Sequence, residues 1–218
     1  NCERPKNIMN EQYIDRVFDF SFGELTISQA TIGDVGCVVW DAAIVLAKYI
    51  DGPNFKEKHS LASSSILELG AGTGLVGLTA AALGGIVTLS DLETLIPLMQ
   101  KNIEGNKNVL KGKCTSMVLK WGSNLSFIYP PDIILVSDCI YYEDSLLLVN
   151  SMSQLCSEKT TIYLSYEDRN TDHKLQLVKE FFLLVNQHFF VEEIPNIMHD
   201  KIFRSDDIHI FRLSLKTI

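Results

Sequence analysis

The segment Ile66-Leu67-Glu68-Leu69-Gly70-Ala71-Gly72-Thr73-Gly74-Leu75 restricts this chain more than any other stretch does. Ile66, Leu67 and Leu69 form a short apolar run suited to a parallel strand buried on both faces, and Leu75 to Leu83 is helix-forming. Between them Gly70, Gly72 and Gly74 remove Cβ atoms that would keep a ligand off the backbone. A plain turn between strand and helix rarely needs so many glycines. The loop is therefore expected to bind a ligand through backbone N–H groups at a helix N-terminus, a setting that suits an anion or a carboxylate.

Two cofactors compete for the loop. From Gly72 to Gly77 the residues satisfy the dinucleotide fingerprint G-x-G-x-x-G, and Asp91 follows at about the distance of a ribose-binding acid. From Glu68 the same residues spell E-x-G-x-G-x-G, which resembles motif I of the Rossmann-like methyltransferases that bind S-adenosylmethionine. That resemblance implies Glu68 near the methionine amino group, with Gly70, Ala71 and Gly72 beside the amino-acid and ribose portions. Asp91 closes the apolar segment Ile86 to Ser90 and would accept hydrogen bonds from ribose hydroxyls in either family. It marks a nucleoside without choosing the chemistry.

Size and charge narrow the choice. With 218 residues, 46% of them apolar, the chain can build one sizeable core, too little for a dinucleotide domain plus a separate substrate domain. A single domain over 1–218 is expected, with 1–34 an N-terminal extension and 35–213 the core. A net charge of -8 argues against a nucleic-acid partner, whose affinity comes from Lys and Arg neutralising phosphates, and favours a cationic substrate. Cys2, Cys37, Cys114, Cys139 and Cys156 are scattered without a C-x-x-C pair, which reads as reduced thiols, most of them small buried hydrophobes. The histidines show no ligand spacing, so no metal is expected. No apolar run reaches the roughly 18 residues of a membrane span, and no leader precedes the fold, although the chain starts at Asn1. A soluble cytoplasmic protein without a membrane partner is the expectation.

Along the chain, helical and strand patterns alternate. After a strand-like Glu24 to Ile27, a helix is predicted from Val38 to Tyr49, stopped at Asp51-Gly52-Pro53-Asn54. Strand Ser65 to Leu69, helix Leu75 to Leu83, strand Ile86 to Ser90 and helix Glu93 to Gly105 follow, which implies a parallel sheet. Further strands are predicted at Thr115 to Leu119, Ile133 to Ser137 and Thr161 to Ser165, with helices Ser145 to Cys156 and Asp172 to His188. Phe189 to Ile194 and Ile208 to Leu213 are joined by a connection too short for a helical crossover and read as an antiparallel pair. The predicted class is α/β. Its plan is the Rossmann-like seven-stranded sheet of the methyltransferases, mostly parallel with a C-terminal antiparallel strand and helices on both faces; six parallel strands would be the dinucleotide plan.

Open sheets of this kind bind ligands at the carboxyl ends of their strands. There Asp138-Cys139-Ile140-Tyr141 matches the D-x-x-Y motif of the seven-stranded protein-lysine methyltransferases, and Val38-Val39-Trp40-Asp41-Ala42-Ala43 resembles their W-x-A-A segment. Leu119-Lys120-Trp121-Gly122 and Ser165-Tyr166-Glu167-Asp168-Arg169 also resemble family segments, and the likeness runs from about Val35 to Leu213. It implies a protein-lysine N-methyltransferase that uses S-adenosylmethionine and leaves S-adenosylhomocysteine. Trp40, Trp121 and Ser137 would join Glu68, Gly70, Ala71, Gly72 and Asp91 around the cofactor, although the family usually has alanine at Ser137. Asp138 and Tyr141 would act on the acceptor. The phrase Cys37 to Leu46 is close to family members that modify the AAA ATPase valosin-containing protein, so that ATPase is the implied protein partner, and a monomeric enzyme is expected.

Plainer roles stand beside these. Trp40 and Trp121 also fit as core aromatics, Asp138 as the cap of a helix over Tyr141 to Leu148, and Tyr141 and Tyr142 as packing rings. Glu143, Glu167 and Arg169 lie at the same sheet edge and fit either a substrate approach or a solvated face. In the lysine-methylation reading the nitrogen displaces the sulfonium methyl directly, and the protein mainly aligns nitrogen, carbon and sulfur. The amine, with an ordinary pKa of about 10.4, must first lose a proton, for which the sequence names no dedicated base. A small-molecule methyltransferase of the same fold and a noncatalytic S-adenosylmethionine-binding module are the alternatives.

Overall fold

The computed structural model describes residues 13–31, 33–141, 145–169 and 171–216. Expectations for Cys2, Tyr142 and Glu143 lie outside these residues.

The chain begins as a hairpin, β1 (Tyr13–Phe20) and β2 (Gly23–Ala30), with Phe20 opposite Gly23 and Gly23 at a φ of +123° in the turn. The polar residues Asp15, Arg16 and Asp19 disguise β1 in the sequence. β2 supplies the core side chains Leu25 and Ile27, both fully buried. Its outer edge would leave unpaired backbone groups, and α4 (Ile96–Asn106) answers them. Asn106 Oδ1 accepts from Thr26 N at 2.9 Å and its Nδ2 donates to Thr26 O at 2.8 Å. One turn earlier Asn102 Oδ1 accepts from Ser28 N at 2.8 Å, while its Nδ2 donates to Ser28 O at 3.0 Å. Two side-chain amides thus complete the strand edge as a neighbouring strand would.

The main sheet contains β3 (Ser65–Leu69), β4 (Ile86–Asp91), β5 (Lys113–Val118), β6 (Ile133–Ser137), β7 (Thr161–Glu167), β8 (Phe189–Ile194) and β9 (Ile208–Leu215). Their order is β5-β4-β3-β6-β7-β9-β8. β3 to β7 run parallel, and β9 lies antiparallel between β7 and β8. This is the expected seven-stranded methyltransferase plan. β3 and β6 are neighbours, with Leu69 opposite Val136, yet the chain leaves β3 toward β4 and leaves β6 toward β7. Such a reversal opens a crevice at the carboxyl ends of the two strands.

Helices α1 (Asp41–Asp51) and α3 (Leu75–Ala82) cover one face of the sheet, while α5 (Ser145–Leu155) and α6 (Asp172–His188) cover the other. Every residue of α3 is buried, because it lies between the sheet and α1. A short α2 (Pro53–Lys56) follows α1. The predicted helices start too early at two places. Val38 to Trp40 is extended, with Trp40 at the N-cap of α1, and Glu93 to Leu95 forms a single tight turn before α4. Pro97 in the first turn of α4 suits a helix start, where its missing N–H costs nothing.

Candidate active site

A cavity of about 480 Å³ opens where β3, β4, β6 and β7 end. One wall is the glycine loop after β3. Gly70, Gly72 and Gly74 have φ of +66°, +54° and +84°, a region that side-chain-bearing residues rarely adopt. A Cβ on Gly70 would lie 2.6 Å from Cys139 Sγ and 2.8 Å from the Trp121 ring, and one on Gly72 would lie 2.7 Å from the Gly36 carbonyl oxygen. The glycines therefore meet the needs of a left-handed backbone and of close packing within the protein. Gly70 and Gly72 also line the cavity, so packing adds to the room that the sequence expects them to leave for a ligand.

Two carboxylates stand behind this loop. Asp91, at the end of β4, accepts from Gly72 N at 2.8 Å through Oδ2 and from Leu92 N at 2.7 Å through Oδ1. Burial raises its pKa, and the charge of Asp34 adds to the effect, while the two backbone N–H groups oppose it. Glu68, the penultimate residue of β3, is 1% exposed. Its Oε2 accepts from Gly77 N at 2.8 Å, and its Oε1 is buried without a partner. Burial pushes its pKa up to about 8, with Asp91 adding to the shift and the Gly77 hydrogen bond opposing it. Asn102, already fixed to β2, also donates to Thr73 O at 2.9 Å and so ties the glycine loop to α4 and the hairpin.

The opposite wall is built after β6 and β7. Asp138 follows β6 directly and is one of the rare side-chain-bearing residues with a positive φ, +54°. Its backbone N–H donates to Ser165 O at 2.8 Å. Its carboxylate, 3% exposed, receives both guanidinium arms of Arg169, Nη1 to Oδ1 at 2.9 Å and Nη2 to Oδ2, and the more distant N–H of Glu167 at 3.5 Å. The hydrogen bonds it donates to Asp138 raise the Arg169 pKa further above its already high value, against the opposing effect of burial. Asp138 therefore does not cap a helix, as the plainer sequence reading had it; its partner is the cation at the end of β7. Arg169 also reaches Glu167 Oε2 at 3.4 Å and covers the Trp40 ring with its guanidinium carbon 5.3 Å from the centroid. Trp40 is pinned by its indole N–H, which donates to Val35 O at 2.9 Å. Beyond Asp138, Ser145 Oγ accepts from Tyr141 N at 3.2 Å and donates to Cys139 O at 2.8 Å, which holds the Tyr141 turn beside the cavity.

The tertiary structure brings Trp40, Glu68, Gly70, Ala71, Gly72, Asp91, Trp121, Ser137, Asp138 and Tyr141 onto one cavity lining. Sequence reasoning missed the Arg169 pairing and the Asn102 bridge. A usable signal for the first existed, since a buried acid close behind the apolar run Ile133 to Val136 calls for a partner. Asn102 gave no sign in one sequence. Among the described residues no group of His, Cys, Asp or Glu could hold a metal ion, and no helix is long and apolar enough to cross a membrane.

S-adenosylmethionine presents an ammonium and a ribose diol, groups that donate hydrogen bonds. An acceptor oxygen of Glu68, buried without a partner, and the Asp91 carboxylate beside a glycine loop fit such a ligand.

The sequence profile of the lysine methyltransferase family matches residues 20–188. This chain belongs to that family. It is 36% identical over 186 residues to the protein N-lysine methyltransferase METTL21A of Xenopus tropicalis, covering 84% of this chain and 79% of the relative. It is 30% identical over 207 residues to EEF1A lysine methyltransferase 3 of the same organism, covering 90% and 84%. Among solved structures the fold resembles the T. thermophilus 16S rRNA methyltransferase RsmC in complex with AdoMet and guanosine, with a TM-score of 0.66, 16% identity, and coverage of 99% of this chain and 53% of that one. It also resembles magnesium protoporphyrin IX methyltransferase of Synechocystis with bound SAH, with a TM-score of 0.53, 16% identity, and coverage of 85% and 90%. The family member described here is an S-adenosylmethionine-dependent protein-lysine N-methyltransferase, as its sequence motifs led one to expect.

Proposed function

We propose that this enzyme methylates a lysine of the AAA ATPase valosin-containing protein, with cofactor and acceptor meeting in the cavity between the glycine loop and Asp138. The observation that carries the reading is the convergence of E-x-G-x-G-x-G and D-x-x-Y on one cavity in a chain of the lysine methyltransferase family. The choice of acceptor rests on the phrase Cys37 to Leu46, and it differs from the substrate in the name of the relative EEF1A lysine methyltransferase 3.

In this reading Glu68, Gly70, Ala71, Gly72, Asp91, Trp121, Ser137 and Trp40 hold the cofactor. Glu68 Oε1 takes a donor from its amino-acid end, and Asp91 takes the ribose hydroxyls while still gripping the Gly72 N–H. When bound, S-adenosylmethionine supplies a methyl group on a sulfonium. The walls of Trp40 and Tyr141 keep water from the acceptor nitrogen and offer ring faces to its side chain. Asp138 orients that nitrogen through a carboxylate oxygen, and the proton leaves to water. Alignment is the main contribution, because a well-oriented pair avoids most of the entropy cost of meeting. The reading also takes 1–218 as one domain acting as a monomer in the cytoplasm.

The test is incubation with radiolabelled S-adenosylmethionine and purified valosin-containing protein, EEF1A, or a small-molecule extract. Label in the ATPase, mapped to lysine, is expected. Label in EEF1A alone would overturn the acceptor, and label confined to small molecules would favour the alternative activity. Cofactor binding without transfer to any acceptor would point to a binding module.

A further inference from the structure

The proposed function gives Asp138 the task of meeting the acceptor nitrogen, yet Asp138 is already occupied. Its buried carboxylate takes both arms of the Arg169 guanidinium, and Arg169 is held in turn by Glu167 and by the face of Trp40. Such a planar two-bond pairing fixes carboxylate orientation more tightly than any single contact. It also changes what the carboxylate does to an approaching amine. A lone buried carboxylate favours the charged form of a neighbouring base, and an ammonium has no lone pair with which to attack. A carboxylate whose charge is cancelled can accept a hydrogen bond from a neutral amine without holding the amine protonated.

We propose that Arg169 is a positioning residue that neutralises Asp138, so that the acceptor lysine is held as the free amine and not as the ammonium. This rests on the lysine-methylation reading above.

The wider charge pattern agrees with the geometry. From β7, Glu167 touches Arg169. From the start of α1 and from the approach to β9, Asp41 and Asp207 act on Glu167 through space. Lys120 after β5 and Lys174 on α6 line the cavity, as do Asp34, Glu68 and Asp91 on the glycine-loop side. Among these charged side chains, only that of Arg169 is hydrogen-bonded to Asp138, joined by the more distant backbone N–H of Glu167. Removing its charge while keeping a polar side chain leaves Asp138 uncompensated and faced by Glu167, which strengthens the local pull on an ammonium.

Arg169→Gln tests this with two readouts. In steady-state transfer to the acceptor lysine, kcat near pH 7 should fall about tenfold or more. The acidic limb of the kcat profile should move up by about one pH unit, with KM for the acceptor unchanged or lower. Arg169→Lys keeps the charge and should retain the wild-type limb. The second readout needs no turnover. Trp40 and Trp121 are the chain's two tryptophans and both line the cavity, so intrinsic fluorescence reports on it directly. With S-adenosylhomocysteine present at pH 7, n-butylammonium should bind Arg169→Gln at least about tenfold more tightly than it binds the wild type.

An unmoved limb in Arg169→Gln, or a raised KM at unchanged kcat, would overturn the proposal; so would equal n-butylammonium affinity in the two proteins. A wild type that methylates no lysine would instead sink the parent reading, and the fluorescence titration would still judge the charge argument. If Arg169→Gln does not fold, displacement of the limb in Arg169→Lys by as much as one pH unit would count against the proposal.

Discussion

On the β3–β4 side of the cavity the carboxylates of Glu68 and Asp91 are hydrogen-bonded, among the described residues, only to backbone N–H groups, whereas on the β6–β7 side Asp138 carries a guanidinium. Without a cation, Glu68 is pushed up to about 8 and Asp91 is raised as well. With one, Asp138 is already charge-balanced inside the protein. In the proposed reading the first wall is completed by a ligand that brings its own donors, and the second is complete before an acceptor arrives. Their construction differs too. The β3–β4 side is a backbone object, shaped by glycines at positive φ, while the β6–β7 side is assembled from side chains that follow separate strands and from a helix cap position.

The sharpest way to break this contrast is Asp138→Asn, which keeps the shape and removes the charge. Methyl transfer to the acceptor lysine should fall by about a hundredfold or more, within the range of a lost orienting contact, with affinity for S-adenosylhomocysteine changed much less. Wild-type transfer rates in this variant would strip Asp138 of its part in catalysis. Arg169 would then be left as a partner of structure only.

On the other wall, Asp91→Ala should weaken S-adenosylhomocysteine binding by at least about tenfold in calorimetry, since charge-assisted hydrogen bonds are worth about 1.5–3 kcal/mol each. The substitution also frees the Gly72 N–H, so Asp91→Asn, which keeps one acceptor oxygen, should fall between the two. Unchanged affinity in both would place the ribose elsewhere.

The smallest effect concerns Glu68 in the cofactor-free protein. Below its ordinary pKa of 4.5 the side chain is protonated whether the chain is folded or not. As pH rises from there to about 8, the unfolded chain releases the proton and the folded one keeps it, so stability declines across that window and levels off above it. Glu68→Gln does not titrate. Its Tm should therefore gain on that of the wild type by several degrees between pH 5 and pH 8, where 1 kcal/mol is worth roughly 2–4 °C at this size. A constant difference in Tm would mean that burial does not raise the pKa of Glu68.

Much of the molecule was legible before any coordinates. The buried strands β3 and β6 and the long helix α6 announce themselves by continuous apolar runs and by helical spacing, because those patterns follow from local geometry. β1 did not, since its residues are mostly exposed and its reason to be a strand is its partner β2. The start of α1 was also misjudged. Val38 and Val39 have no local objection to a helix, and Val39 is held extended by its backbone N–H, which donates to Gln29 Oε1 at 2.7 Å on the distant β2.

By itself the sequence determined the class of sheet, the glycine turn and the short motifs by which the family is recognised, because each depends on neighbours within a few residues. Only the tertiary structure decided how those motifs share charge. Asp138 and Arg169 are 31 residues apart and become partners because β6 lies beside β7; Asn102 reaches the glycine loop because α4 folds back over it. Hydrogen bonds and ion pairs act over a few ångströms of space whatever the separation along the chain, so one sequence displays the residues that make them but not which residue meets which.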